Sequence, residues 1–127
     1  MQRKFRLTRS EDFKRVRRSG KSYAHPLVVL IVQTYDQRST PLSGNGDQPH
    51  VRIGVAAGRT VGTAVSRNRA KRLLREAIRP LIPNLALGFD LILIARPGLV
   101  SATLEETRQA LLALLQRAQI LTPLNES

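Results

Sequence analysis

The chain has no cysteine and no tryptophan, a single methionine, and only five Phe or Tyr side chains in 127 residues. Without thiols it can build neither a disulfide framework nor a thiolate metal site, which suits a reducing cytosol. Acids are scarce too, nine Asp and Glu against 21 Lys and Arg, for a formal net charge of +12. The longest apolar run, Leu27 to Val32, falls far short of the roughly 20 residues that span a bilayer, so no membrane partner is expected. The basic N-terminus is not followed by the apolar stretch of a signal peptide. His25 and His50 lie in or beside loops with no second ligand at helical spacing, and read as surface histidines. Neither Gly54 to Gly58 nor Gly58 to Gly62 ends in the Lys-Ser/Thr of a phosphate-binding loop. Glu11, Asp12 and Asp90 are the nearest thing to a carboxylate set, and Glu11 is better explained as a helix cap. No independent active site is expected, and no catalytic residue is assigned.

What the chain has in abundance is positive charge, and the charge is concentrated. Residues 1–21 carry a net +7 and residues 52–79 another +7, whereas 22–51 and 80–127 each come to −1. Charge kept only for solubility would be spread; two basic blocks make a positive surface for phosphates. The densest stretch is Arg67 to Arg79, with six cations against Glu76. Wound at about 100° per residue, it sends Ala70, Leu73, Leu74, Ala77 and Ile78 to one side. Asn68, Lys71, Arg72, Arg75 and Arg79 go to the other, with Arg67 and Arg69 adding to the basic set. Like charges four residues apart on a helix repel, so the stripe is a local liability that a polyanion laid along it turns into attraction. A solvated face would mix both signs.

The length predicts one domain, residues 1–127, able to bury its own core. The element order predicted is α-β-β-α-β-α. Thr8 and Glu11 form a capping box and Gly20 a stop, giving a helix from Arg9 to Ser19. Leu27 to Val32 reads as a strand buried on both faces. Residues 36–49, with Pro41, Gly44, Gly46 and Pro49, read as a flexible loop. Val51, Ile53, Val55 and Ala57 alternate as a strand with one inward face, and the basic helix follows from Thr63 to Arg79. Phe89 to Ala95 is almost wholly apolar and is predicted to be the central strand. Thr103 and Glu106 form a second capping box for a helix from Leu104 to Ala118, which presents Leu104, Leu111, Leu114, Leu115 and Ala118 on one face. Residues 119–127 read as a loose tail. Three strands among helices make an α/β (α+β) sandwich of two layers.

The run Ala64-Val65-Ser66-Arg67-Asn68-Arg69-Ala70-Lys71-Arg72-Leu73-Leu74-Arg75-Glu76 closely resembles the AVxRNxxKRxxRE motif of the bacterial ribonuclease P protein subunit. Other pieces fall in the family's order: Leu7 through Phe13, Arg52-Ile53-Gly54-Val55 with Gly62, and Asp90 through Arg96. The resemblance spans residues 3–118, interrupted by the 36–49 loop. It implies a left-handed β-α-β crossover around the basic helix, as in a ribosomal-protein-like fold, and a cytoplasmic place in a bacterium. It implies a ribonucleoprotein that removes the 5′ leader from precursor tRNA, an endoribonuclease whose catalysis belongs to the RNA subunit with Mg²⁺ bound mainly there. Whether this protein holds any metal itself is left open, and no DNA partner is implied. Arg67, Asn68, Arg69, Lys71, Arg72, Arg75 and Arg79 would then lie against the RNA subunit. A cleft between the sheet and the first helix, with Phe13, Arg17, Ile31, Arg52 and Arg59, would hold the single-stranded leader.

Departures from the family pattern bear on that cleft. Arg17 and Ile31 stand where members commonly carry aromatics. Ala56 and Gly58 replace small hydroxyl residues, and Thr60 stands where a second cation is usual beside Arg59. Two other classes of function fit parts of the sequence. A structural RNA-binding protein of ribosomal type would share charge and size, and a self-sufficient nuclease would need a carboxylate cluster that is not apparent.

Overall fold

The computed structural model describes residues 10–34, 51–86 and 88–121; the expected 36–49 loop and Thr8 of the first capping box lie outside them. The elements in chain order are α1 (Ser10–Ser19), β1 (Lys21–Ala24), β2 (Val28–Thr34), β3 (Arg52–Ala57), α2 (Ala64–Ile78), β4 (Phe89–Ala95) and α3 (Leu104–Ala118). Short 3₁₀ turns at Arg59–Val61, Arg79–Asn84 and Pro97–Ser101 link them. The sheet runs β1-β2-β4-β3. β4 is central, antiparallel to β2 and parallel to β3, so β3, α2 and β4 form a β-α-β crossover between adjacent strands.

The structure adds one strand to the sequence reading. Lys21–Ala24 pairs antiparallel with β2 from Lys21 opposite Val32 to Ala24 opposite Val29. Of its side chains only Tyr23 is half-buried, so it carries little of the hydrophobic alternation that marks a strand. Gly20 sets its start. A Cβ at that position would sit 2.5 Å from the Val16 carbonyl oxygen and 2.9 Å from that of Val32, so only glycine lets the end of α1 lie this close to β2.

Alternation along the strands divides the sheet into two faces. Val28, Leu30, Val32, Ile53, Leu91 and Leu93 point to one face and are buried beneath α2 and α3 with Leu74, Ile78, Leu111, Leu114 and Leu115. This is the principal sandwich. Ile31 and Ile92 point to the other face, where they pack with Val16 of α1. α1 therefore lies on the reverse side of the sheet and covers only part of it.

Caps fix the ends of the two long helices. The Thr63 hydroxyl accepts from the Ser66 amide at 3.2 Å at the start of α2. Gly62 just before it has φ +133°, a conformation open to glycine. At α3 both bonds of the capping box are present, Thr103 N to Glu106 Oε1 at 2.9 Å and Glu106 N to Thr103 Oγ1 at 3.0 Å. Two details differ from the sequence reading. Leu104 is 38% exposed rather than part of the buried face of α3. The first residues of the segment expected to be loose are packed: Ile120 is buried, its carbonyl accepts from Ala86 N at 2.7 Å, and Leu121 bridges to Leu85. Residues 122–127 lie outside the described residues.

Candidate nucleic-acid interface

α2 buries Ala70, Leu74, Ala77 and Ile78 against the sheet. That leaves Asn68, Arg69, Arg72 and Arg79 exposed, while Arg67, Lys71 and Arg75 are half-buried. Helical geometry puts Arg67, Lys71 and Arg75 on the flank turned away from α3, with Leu73 on the opposite flank. The basic surface is thus a band around the outer half of the helix. Arg79 pairs with Glu76 at 3.7 Å, both side chains more than half exposed, which contributes little. Arg67, Arg69, Lys71, Arg72 and Arg75 have no acidic partner among the described residues. The Arg67 Nε is buried without a hydrogen-bond acceptor among them.

On the reverse face of the sheet, Phe13 is half-buried against Val16, Ile31 and Ile92, with Val29 and Ile94 beside them. Arg17, one turn along α1, is exposed. Val29, Ala56 and Ile94 are only half-buried. The uncovered part of this face is therefore an apolar floor with the α1 side chains as its wall. Register carries that floor toward the paired ends Ala57 and Ala95, and exposed Arg59 lies just beyond, leading into α2. Phe13 and Arg17 thus stand on the α1 side of this face, Ile31 is buried beneath α1 rather than open, and Arg59 lies past the far end of the strands.

Arg52 lies at the other end of this face. It starts β3, seven residues before Arg59, or roughly 20 Å along an extended chain. Its guanidinium binds the fully buried Asp90 carboxylate through two bonds of 2.8 Å, Nε to Oδ1 and Nη2 to Oδ2. It also approaches Asp12 at 3.6 Å. Arg15 reaches the same Asp90 at 2.7 Å and Asp12 at 3.4 Å, and donates to Gln33. Two arginines and two aspartates thus close one end of the reverse face and tie α1 to β3 and β4. Arg52 belongs to this closed end, its charge already met, and not to an open cation surface. Sequence reasoning missed Arg15 and Gln33 altogether. The available signal was Asp90 itself, an acid inside an otherwise apolar strand, which has to find cations when buried.

The same bonds decide what the carboxylates do. Asp12 and Asp90 hold arginines, and Glu105 and Glu106 stand at the start of α3. Among the described residues no group of three His, Asp or Glu side chains is arranged to hold a metal ion.

The Ribonuclease P family model matches residues 1–119. The chain belongs to the ribonuclease P protein family. It is similar to the ribonuclease P protein component of Herpetosiphon aurantiacus, 42% identical over 120 residues that cover 94% of this chain and 89% of that protein. The component from Brevibacillus brevis is 37% identical, covering 95% and 88%. Among solved structures, the ribonuclease P protein of Staphylococcus aureus aligns with a TM-score of 0.75 at 25% identity, covering 93% of this chain and 98% of that one. That of Thermotoga maritima aligns at 0.71 and 28%, covering 88% and 96%. The α/β sandwich described above is thus the fold of ribonuclease P proteins. No helix among the described residues is long and apolar enough to cross a membrane.

Proposed function

We propose that this chain is the protein subunit of ribonuclease P, acting with a catalytic RNA to remove the 5′ leader of precursor tRNA. Membership in the ribonuclease P protein family over residues 1–119 is the observation that carries the reading. The unpaired cations of α2 give it a physical basis. Arginine forks bind phosphate oxygens in pairs, and Asn68 can donate and accept toward sugar and backbone groups. α2 would lie on the RNA subunit, and the open reverse face, from Phe13 to Arg59, would hold the single-stranded leader.

The division of labour is the one that the family resemblance implies. Asp12 and Asp90 are engaged by arginines, and no catalytic residue is assigned to this chain. Mg²⁺ would be held mainly by the RNA subunit, where it would supply charge and an activated water for phosphodiester hydrolysis. The protein binds, aligns the substrate and screens phosphate repulsion. The test is precursor-tRNA cleavage at low Mg²⁺ with the protein, a bacterial ribonuclease P RNA, or both. The expected result is cleavage at the mature 5′ end only with both, or strongly raised by the protein. Absence of stimulation at every salt concentration defeats the reading, and cutting by the protein alone defeats the assignment of catalysis to RNA.

The cleft carries its own prediction. Phe13→Ala should lower affinity for leader-bearing precursor by about 1–3 kcal/mol, the scale of one base stacked on an aromatic ring. Binding of leaderless tRNA should be unchanged. Equal losses for both substrates would mean that Phe13, which also packs on Val16 and Ile31, acts only through the fold. Arg17 and Ile31 supply no ring, so Phe13 carries the aromatic contact from these positions alone.

A further inference from the structure

Among the described residues two large apolar side chains stand exposed, Val65 at 79% and Leu104 at 38%. They come from different helices yet line the same groove, about 580 Å³, between α2 and the start of α3, with half-buried Leu73. Single exposed apolar residues are ordinary, whereas two that converge on one groove form a small apolar patch available to another molecule. Neither serves its own helix. A β-branched residue is a weak helix former, and the first turn of α2 holds no acid to favour the helix dipole. The cap of α3 is completed by Thr103 and Glu106 without Leu104.

The rim of the groove says what the cover is. It carries Asn68, Arg69 and Arg72, with Glu76 the single acid. A body with apolar faces, flanked by negative charge, fits this pattern. An unpaired nucleotide has that form, and bases in RNA loops and bulges can be splayed out of the stack. We propose that the α2–α3 groove receives one unstacked nucleobase of the RNA bound by α2. The base lies against Val65, Leu73 and Leu104, its edge within reach of the Asn68 amide and its adjoining phosphates on Arg69 and Arg72. The groove is on the opposite side of the sheet from the Phe13 surface, so its occupant is not the leader lying there. The proposal rests on the reading of α2 as the face that meets the RNA subunit.

The experiment compares wild type, the double variant Val65→Ser with Leu104→Gln, and Leu104→Met, binding to ribonuclease P RNA across a salt series. Both positions are exposed, and equal thermal melting of the three proteins checks that the fold is kept. The double variant is expected to bind about five- to tenfold more weakly, the scale of losing partial burial of aliphatic side chains. Its salt dependence should match wild type because no charge has changed, and Leu104→Met should bind as wild type does. In parallel, one unpaired nucleotide shielded from a base-reactive chemical probe by wild type should become reactive with the double variant. Unchanged affinity and protection with the double variant overturns the groove while leaving the α2 reading intact. Failure of wild type to bind the RNA overturns both. Self-association of the free wild-type protein that the double variant abolishes, with base protection unchanged, would assign the groove to a second copy of the chain and overturn the proposal.

Discussion

Replacing Arg67, Arg72 and Arg75 together with alanine is expected to weaken binding of ribonuclease P RNA by about two to three orders of magnitude, taking roughly 1–1.5 kcal/mol for each lost charged contact. None of the three has an acidic partner among the described residues, so their removal breaks no ion pair described in the fold. The loss should carry a mark that misfolding does not produce. Each phosphate contact releases counterions, and three lost contacts should flatten the plot of log affinity against log salt by about two units. Filter binding or fluorescence titration over a salt series reads both quantities. Weakened binding with an unchanged slope would show that these arginines act through the fold, and unchanged binding would remove α2 from the interface. The helix they sit on buries Leu74 and Ile78 beneath it, which melting of the variant would show to be undisturbed.

Asp90→Ala should lower the free energy of unfolding by about 3–5 kcal/mol, the range for breaking a buried ion pair from one side. Asp90 is fully buried, and both Arg15 and Arg52 close on it at 2.7–2.8 Å. Without it two guanidinium groups, each mostly covered, lose their nearest carboxylate, leaving Asp12 at 3.4 and 3.6 Å as the other acid of the quartet and Gln33 beside Arg15. Urea titration reads the effect as a lower midpoint at an unchanged slope. Asp90→Asn, which keeps the shape and some acceptor capacity but no charge, should fall between. A loss below about 1 kcal/mol would mean that the quartet behaves as a surface pair does. α1 is the element most dependent on the quartet, since its other anchor on the sheet is the small cluster around Val16. Phe13 travels with it, so the same substitution should loosen the surface around Phe13 before it touches α2.

Much of this was legible in the sequence where the signal was local. The basic helix was visible because its apolar and charged residues separate at helical spacing, and Thr63 and Arg79 turned out to be its flanking caps. The Thr103–Glu106 box lies within four residues and forms as read. Phe89 to Ala95, apolar on both faces, proved central as its composition required. What escaped was non-local. Arg15 and Asp90 are 75 residues apart, and Arg52 and Asp90 are 38 apart, so no window of sequence shows that they meet. The pairing of Arg52 with Asp90 was consequently not visible beside its reading as a cleft cation. Leu104 fitted the periodicity of α3 but sits at its first turn, beyond the reach of the core. β1 is too short and too exposed to declare itself, and forms because β2 offers an edge beside the close turn at Gly20.

The order of the strands also bears on how the molecule comes into being. β4 lies between β2 and β3, yet it is the last of the described strands to be synthesised, at residues 89–95. Until it emerges, the β1–β2 hairpin and the β3 segment share no neighbour, and α2 has no sheet beneath its apolar side. An isolated helix of this length is marginal in water, and its crowded cations weaken it further. Any product ending before residue 89 therefore carries the basic segment without the surface that shapes it. The two outer parts of the sheet are thus joined only by a strand made after both of them, and the helix that completes the core, α3, comes later still.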